Sequence, residues 1–281
     1  MAYRRILTIQ DISCVGQCSL TVALPILSAC GHETAILPSA VLSTHTAGFS
    51  GWTCRDLTED MPAINAHWNK EGLRFEAVYT GYLGSTRQID YVKAIMNSTL
   101  TPEGLRIVDP AMADHGKLYP AFDMEYVEAM KSLCAAADYL LPNVTEACAL
   151  LELPWEDSTA CTQRLVQRAW ELLDGRLRNV LITSCRFSEG WTGLICAGDN
   201  GFVYPHERVA LSCHGSGDLF ASVFAGLMTL GRSLPESART AADFTRDCIR
   251  HSMNCPDHRW YGVDYEPMLG ELTRRIGEER A

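Results

Sequence analysis

Apolar runs of strand length alternate with segments of helical periodicity through most of the chain. Residues 4–12 ("RRILTIQDI"), 33–43 ("ETAILPSAVLS"), 75–85 ("FEAVYTGYLGS"), 104–112 ("GLRIVDPAM") and 179–185 ("NVLITSC") read as strands. Apolar positions at helical spacing predict helices over 17–30, 86–98, 123–137 and 158–173, with Pro25 distorting the first. Residues 138–153 read as a short strand turning into a helix. The strand runs are apolar almost throughout, as expected when both faces of a sheet are covered. Two shorter segments, 190–198 and 201–207, flank the turn signal "DNG" and predict an antiparallel hairpin. Helices then dominate to the end, beginning with "CHGSGDLFASVFAG" at 213–226.

Strands joined by helical crossovers imply an α/β fold of three αβα layers, with a mostly parallel central sheet and the hairpin at one edge. No repeat or linker interrupts residues 1–281, which are expected to form a single domain. With 47% hydrophobic and 21% charged residues, the chain has the balance of a globular protein. No apolar run approaches the roughly 18 residues of a membrane span. The N-terminus turns polar too early for a signal-peptide core, so a cytoplasmic protein with no membrane partner is expected. A net charge of -10 argues against a nucleic-acid partner. It leaves phosphate-bearing ligands open, because glycine loops and metals supply a local positive field. The 12 cysteines include no CxxC pair and read as reduced thiols, mostly small core residues.

Ligands of such sheets bind beyond the carboxyl ends of the strands. The polar residues at those ends are Asp11 and Ser13, Ser43 to Thr46, Gly81 to Ser85, Asp109 to Lys117, Asn143 to Glu146, Thr183 to Arg186, and Gly215 to Asp218. The topology would gather them on one rim. At Gly215-Ser216-Gly217-Asp218, a glycine turn into a helix exposes backbone N–H groups that suit an anion. Asp218 fits either a helix-start acid favoured by the dipole or an acid that acts on a ligand. Asn143 and Glu146, three apart, fit either a capping box or the water shell of a hard cation such as Mg²⁺. Asp109 and Asp114 suit a metal or polar-ligand loop, or an Asx turn and a solvated acid. His45 and Thr46 lie among small residues where a ring could pack. The P-loop, the dinucleotide fingerprint, the nucleophile elbow and the HExxH motif are all missing.

Taken in order, "TIQD", "STHTAGFSGW", "TGYLGS", "DPAMADHGKLY", "LLPNVTEA", "LITS" and "GSGDLFASVFAG" resemble the pyridoxal kinases of the ribokinase-like superfamily, over residues 4 to about 255. The resemblance implies ATP-dependent phosphorylation of the 5'-hydroxymethyl group of a B6 vitamer. It makes Asp218 the catalytic base, with Gly215, Ser216 and Gly217 as the anion hole. Asp11, His45, Thr46 and Tyr82 become substrate contacts. Asp109, Asp114, Asn143 and Thr183 fall on the nucleotide side, and Asp114 and Glu146 on the metal. ATP and Mg²⁺ are the implied cofactors, a monovalent cation is a further candidate, and a homodimer is the implied assembly. Three positions depart from the family pattern: "GSGD" replaces "GTGD", "IQD" replaces "IQS", and "DPAMAD" replaces "DPVMGD". Asp11 in place of serine suggests a pocket suited to a cationic ring nitrogen or an amine. The alternatives are a hydroxymethylpyrimidine kinase, whose branch usually has cysteine at the position of Asp218, and a non-catalytic nucleotide- or vitamin-binding protein.

Overall fold

The computed structural model describes residues 4–199 and 201–278. The chain opens with β1 (Arg5–Ser13), α1 (Leu20–Ala29), β2 (Glu33–Leu42), β3 (Cys54–Asp56) and α2 (Met61–Lys70). It continues through β4 (Phe75–Thr80), α3 (Thr86–Thr99), β5 (Leu100–Val108), β6 (Ala113–Asp114), β7 (Lys117–Leu118) and α4 (Met124–Cys134). Then follow β8 (Tyr139–Leu140), α5 (Val144–Leu150), α6 (Thr159–Arg168), β9 (Asn179–Ser188), β10 (Trp191–Gly198) and β11 (Phe202–Glu207). Three helices close the chain: α7 (Ser216–Thr229), α8 (Leu234–Asn254) and α9 (Leu269–Glu278).

Nine strands form one sheet in the order β11-β10-β9-β8-β5-β4-β1-β2-β3. The six from β9 to β2 are parallel, and β3, β10 and β11 add antiparallel edges. Alternate strand residues serve opposite layers. Ile6, Ala77 and Ile107 pack with α1, α7, α8 and α9, while Leu7, Val78 and Val108 pack with the helices from α2 to α6. This is the three-layer αβα arrangement with the edge hairpin of β10 and β11. Asn200, within the "DNG" turn, lies outside the described residues. Among the described residues no helix is long and apolar enough to cross a membrane.

Several boundaries move. The strand expected to run to residue 85 stops at Thr80, and Ser85 instead caps α3 by accepting from Gln88 N at 3.4 Å. β5 begins at Leu100 rather than Gly104, with a bulge between the Phe75–Leu100 and Ala77–Leu105 pairs. The helix expected over 158–173 ends at Arg168 and tightens into a 3-10 turn. The chain after α8 is irregular from Cys255 to Tyr265, where helix was expected to dominate. β3 and α2 carry no sequence signal, because all three residues of β3 are exposed and α2 buries only Met61.

Pro25 sits inside α1 without breaking it. A proline there lacks the N–H that would bond the carbonyl of Thr21. The Tyr265 hydroxyl, arriving from the segment after α8, donates to that carbonyl at 2.7 Å. Thus the C-terminal segment satisfies a group that the helix itself leaves open. Tyr265→Phe is expected to cost about 1–2 kcal/mol in denaturant melts. In a Pro25→Ala background, where residue 25 regains its N–H, that cost should shrink. An undiminished cost would show that the hydrogen bond to Thr21 is not what Tyr265 contributes.

Candidate active site

The first turn of α7 lies against the loop that leaves β1. Gly215, just before the helix, has a left-handed φ of 77°. A Cβ there would run into the carbonyl oxygen of Gln17, so both the conformation and the contact require glycine. The loop from Cys14 to Ser19 is thereby folded back, and Ser19 bridges to Ile12. Ser19 joins the two acids of the region. Its backbone N–H donates to Asp218, and its hydroxyl to Asp11. Ser13 Oγ adds a second bond to Asp11 Oδ2 at 3.0 Å.

Asp218 is half-buried in the first turn of α7, ahead of a run from Leu219 to Thr229 that is buried throughout. The helix dipole and the Ser19 N–H favour its ionised form. Desolvation works against them and wins, with the charge of Asp11 adding to it. Together they push the Asp218 carboxyl up to about 7. Asp11, 6% exposed, is also raised by burial.

A second group of acids lies across from Asp218. Asp109 ends β5 and is buried, and its carboxyl is held well above the usual range by desolvation and by the charges of Glu146 and Asp218. Asn143 and Glu146 form the full capping box of α5. Asn143 Oδ1 accepts from Glu146 N at 3.0 Å, and Glu146 Oε2 from Asn143 N at 2.8 Å. The pair also fastens the loop after β5. Glu146 Oε1 accepts from Met112 N at 3.1 Å, and Asn143 Nδ2 donates to Ala113 O at 2.8 Å. Burial pushes the Glu146 carboxyl up to about 8 despite these bonds. Asp114 is exposed on the small β6–β7 hairpin, where its Oδ1 accepts from His115 N at 2.8 Å. Among the described residues, no three His, Cys, Asp or Glu side chains converge to hold a metal ion.

On the other side of α7, Tyr82 follows β4, half-buried, with its hydroxyl pushed up to about 12 by burial and by Asp11. His45 is 5% exposed. Its Nε2 lies 2.8 Å from the carbonyl of Tyr261, while Nδ1 is buried without a partner. Thr46 is exposed; the buried, unpartnered hydroxyl of that loop belongs to Thr44. The structure therefore gathers Asp11, Tyr82 and His45 but does not tie Thr46 to them.

The segment after α8 straps these loops down, and no motif had pointed to it. Trp260 packs 4.6 Å from Phe49 and covers Gly48, while Gly262 lies against Gln17. Gln17 Nε2 donates to Glu266 Oε1 at 2.6 Å, and Arg259 pairs with Asp264 and Glu266, each at 2.7 Å.

Ser216 and Gly217 also face a cleft of about 720 Å³ that runs away from the acceptor side. Asp114, Asn143 and Thr183 line it too. Thr183, midway along β9, is fixed by its N–H to Pro142 O at 2.9 Å. Arg186, part of the expected rim, and Arg208 and Arg246, which no motif flagged, add cations to its wall. The start of α7 thus lies between this cleft and the loops that carry Asp11, Tyr82 and His45. That is the geometry of a group transfer between two ligands that meet at a helix N-terminus.

The phosphomethylpyrimidine kinase family model matches residues 28–261. The chain belongs to that family. It is accordingly a phosphotransferase of the ATP-dependent kinase type. The pyridoxine/pyridoxal/pyridoxamine kinase of Bordetella bronchiseptica is 29% identical over 249 residues, covering 84% of this chain and 85% of its own. The crystal structure of pyridoxal kinase from Lactobacillus plantarum superposes with a TM-score of 0.87 at 29% identity, covering 99% of each chain. A Bacteroides thetaiotaomicron protein assigned to the phosphomethylpyrimidine kinases, in a crystal form with pyridoxal, has a TM-score of 0.87 at 33% identity, covering 96% of each chain.

The raised Asp218 has a measurable consequence. Its folded value of about 7 lies above the ordinary 3.8, so the fold penalises the ionised form. The penalty is absent below about pH 4 and complete above about pH 7. Asp218→Asn is therefore expected to melt above the wild type at pH 8, by an amount on the order of 4 kcal/mol. The advantage should shrink as the pH falls toward 4. A difference that stays flat over this range would refute the assigned shift.

Proposed function

We propose that the chain transfers the γ-phosphoryl group of ATP to the hydroxymethyl group of a B6 vitamer, within a single domain. One observation carries this reading. A half-buried carboxylate, Asp218, stands at the start of the same helix whose Ser216 and Gly217 face the nucleotide-sized cleft. A binding protein has no need for an acid there. Phosphoryl transfer needs one, together with donors for the migrating charge.

In this mechanism the vitamer lies beside Asp11, Tyr82 and His45, with its hydroxymethyl group toward Asp218. ATP occupies the cleft past Thr183, Asn143 and Asp114. Asp218 orients the substrate hydroxyl and takes its proton. A positioned base of this kind contributes about 10²–10⁴ in rate. The N–H groups at the head of α7, left unpaired by the helix, stabilise charge on the transferring group. Gly217 leaves open space for that group, with nothing within 4 Å of a Cβ there.

Mg²⁺ fits the far wall. The Asp109 side chain accepts no hydrogen bond from the described residues, and it carries the repulsion of both Glu146 and Asp218. Asp109, with Glu146 behind it and Asp114 at the edge, would hold the ion through waters and phosphate oxygens rather than as a closed cage. When bound, the ion would supply charge neutralisation between the phosphates and these acids.

Three measurements test the proposal. ADP release with pyridoxal, pyridoxamine or pyridoxine and Mg²⁺ should far exceed that with hydroxymethylpyrimidine or ribose. Turnover with the pyrimidine alone would transfer the chain to the other branch of its family. For the best substrate, kcat/KM should fall tenfold per pH unit below about 7, as Asp218 becomes protonated. Asp218→Asn should lose at least about 10² in kcat while still binding ATP. Near-normal turnover in that variant would remove Asp218 from the role of base.

A further inference from the structure

Asp11 lies outside the stretch matched by the family model, and the proposed phosphoryl transfer assigns no step to it. It is nevertheless among the most buried carboxylates of the chain. Its hydrogen bonds come from the hydroxyls of Ser13 and Ser19, which are neutral donors. It has no ion pair with lysine or arginine among the described residues. The ionisable groups that face it are Asp218 across Ser19, His45, Tyr82, Cys18 and Cys54. Asp56 adds a further negative charge beside Tyr82 and Cys54. The pocket therefore carries several acids and one imidazole.

A second feature of the same wall points to a ligand. The two nitrogens of the His45 ring diverge, and Nε2 is taken by the Tyr261 carbonyl. Nδ1 is left buried and unpartnered within electrostatic reach of Asp11. A neutral Nδ1 with Nε2 donating is a hydrogen-bond acceptor. Asp11 and the open Nδ1 of His45 thus both face the pocket, with no lysine or arginine beside them. A buried carboxylate that the protein pairs with no lysine or arginine gains most from a ligand that brings a cation.

We propose that Asp11 sets the specificity of the acceptor site by pairing with an N–H cation of the substrate. That cation is the protonated ring nitrogen or the protonated aminomethyl group of a hydroxymethylpyridine. This inference rests on the reading of the chain as a B6-vitamer kinase and adds the charge that the site selects. Asp218 meets the hydroxymethyl group, Asp11 meets the cation, and Ser19 fixes the spacing between the two carboxylates.

The test compares kcat/KM for pyridoxine and pyridoxamine in the wild type, Asp11→Asn and Asp11→Ser, with binding of each vitamer measured calorimetrically without ATP. The ratio of two substrates on one variant cancels any difference in folded fraction. Asp11→Ser serves if the asparagine variant folds poorly. Loss of at least about tenfold in kcat/KM and affinity for pyridoxamine, with pyridoxine little changed, identifies the amine as the partner. An equal loss of that size for both vitamers identifies the ring nitrogen. Unchanged or improved values for both overturn the role of Asp11 and leave the kinase assignment standing. A wild type that phosphorylates no B6 vitamer overturns both.

Discussion

Ser19 is the contact on which the acceptor side depends. Its backbone N–H faces Asp218 and its hydroxyl faces Asp11, so one residue favours the ionised forms of two neighbouring carboxylates. To do so it adopts a φ of 54°, unusual for a serine. Two residues earlier the same loop is packed closely from both sides. Gly215 presses on Gln17 from the helix, and Gly262 presses on the same residue from the strap. Strain of this kind persists only where the surroundings over-determine it.

The wider constraint is negative charge without local compensation. Asp11 and Asp109 come from the ends of β1 and β5, Glu146 and Asp218 from the first turns of α5 and α7, and desolvation raises each of them. The protein answers with dipoles rather than cations: backbone N–H groups on Glu146, Ser19 on the acceptor pair, and the first turn of α7. Dipoles fix geometry, but they leave much of the charging cost in place. A site built this way is poised for ligands that bring positive charge, whether as a metal or as a protonated heterocycle. The arginines sit farther along the cleft, where Arg186 is paired with Asp157 and Arg246 with Asp243.

What could be read from the sequence follows the same division. The sheet was legible because its strands are apolar on both faces, and the rim because polar residues interrupt those runs at their ends. The pairing of Asn143 with Glu146 was legible as two alternatives. The structure shows the capping box complete, and the same two side chains pin the loop that carries Asp109. The strap was not legible. Residues 255 to 265 have no periodicity, and their role lies in contacts with Gln17, Gly48 and His45, more than 200 positions away. Nor does any local pattern separate Thr46 from Thr44, since burial of a loop hydroxyl is decided by what folds over it.

The head of α7 raises a conflict that the proposed reaction resolves. Its N–H groups and dipole favour one anion, yet Asp218 and the incoming phosphoryl group both present negative charge there. An acid with an ordinary carboxylate pKa would stay ionised throughout and compete for that field. Asp218, raised to about 7, is ready to become neutral. When it takes the proton of the hydroxyl, its charge disappears as negative charge builds on the transferring oxygens. The field of the helix then acts on the phosphoryl group alone. In the proposed reaction, burial at Asp218 is therefore more than the cost of a deep site, because a base raised in this way would be neutral at the step where a persistent charge would oppose transfer.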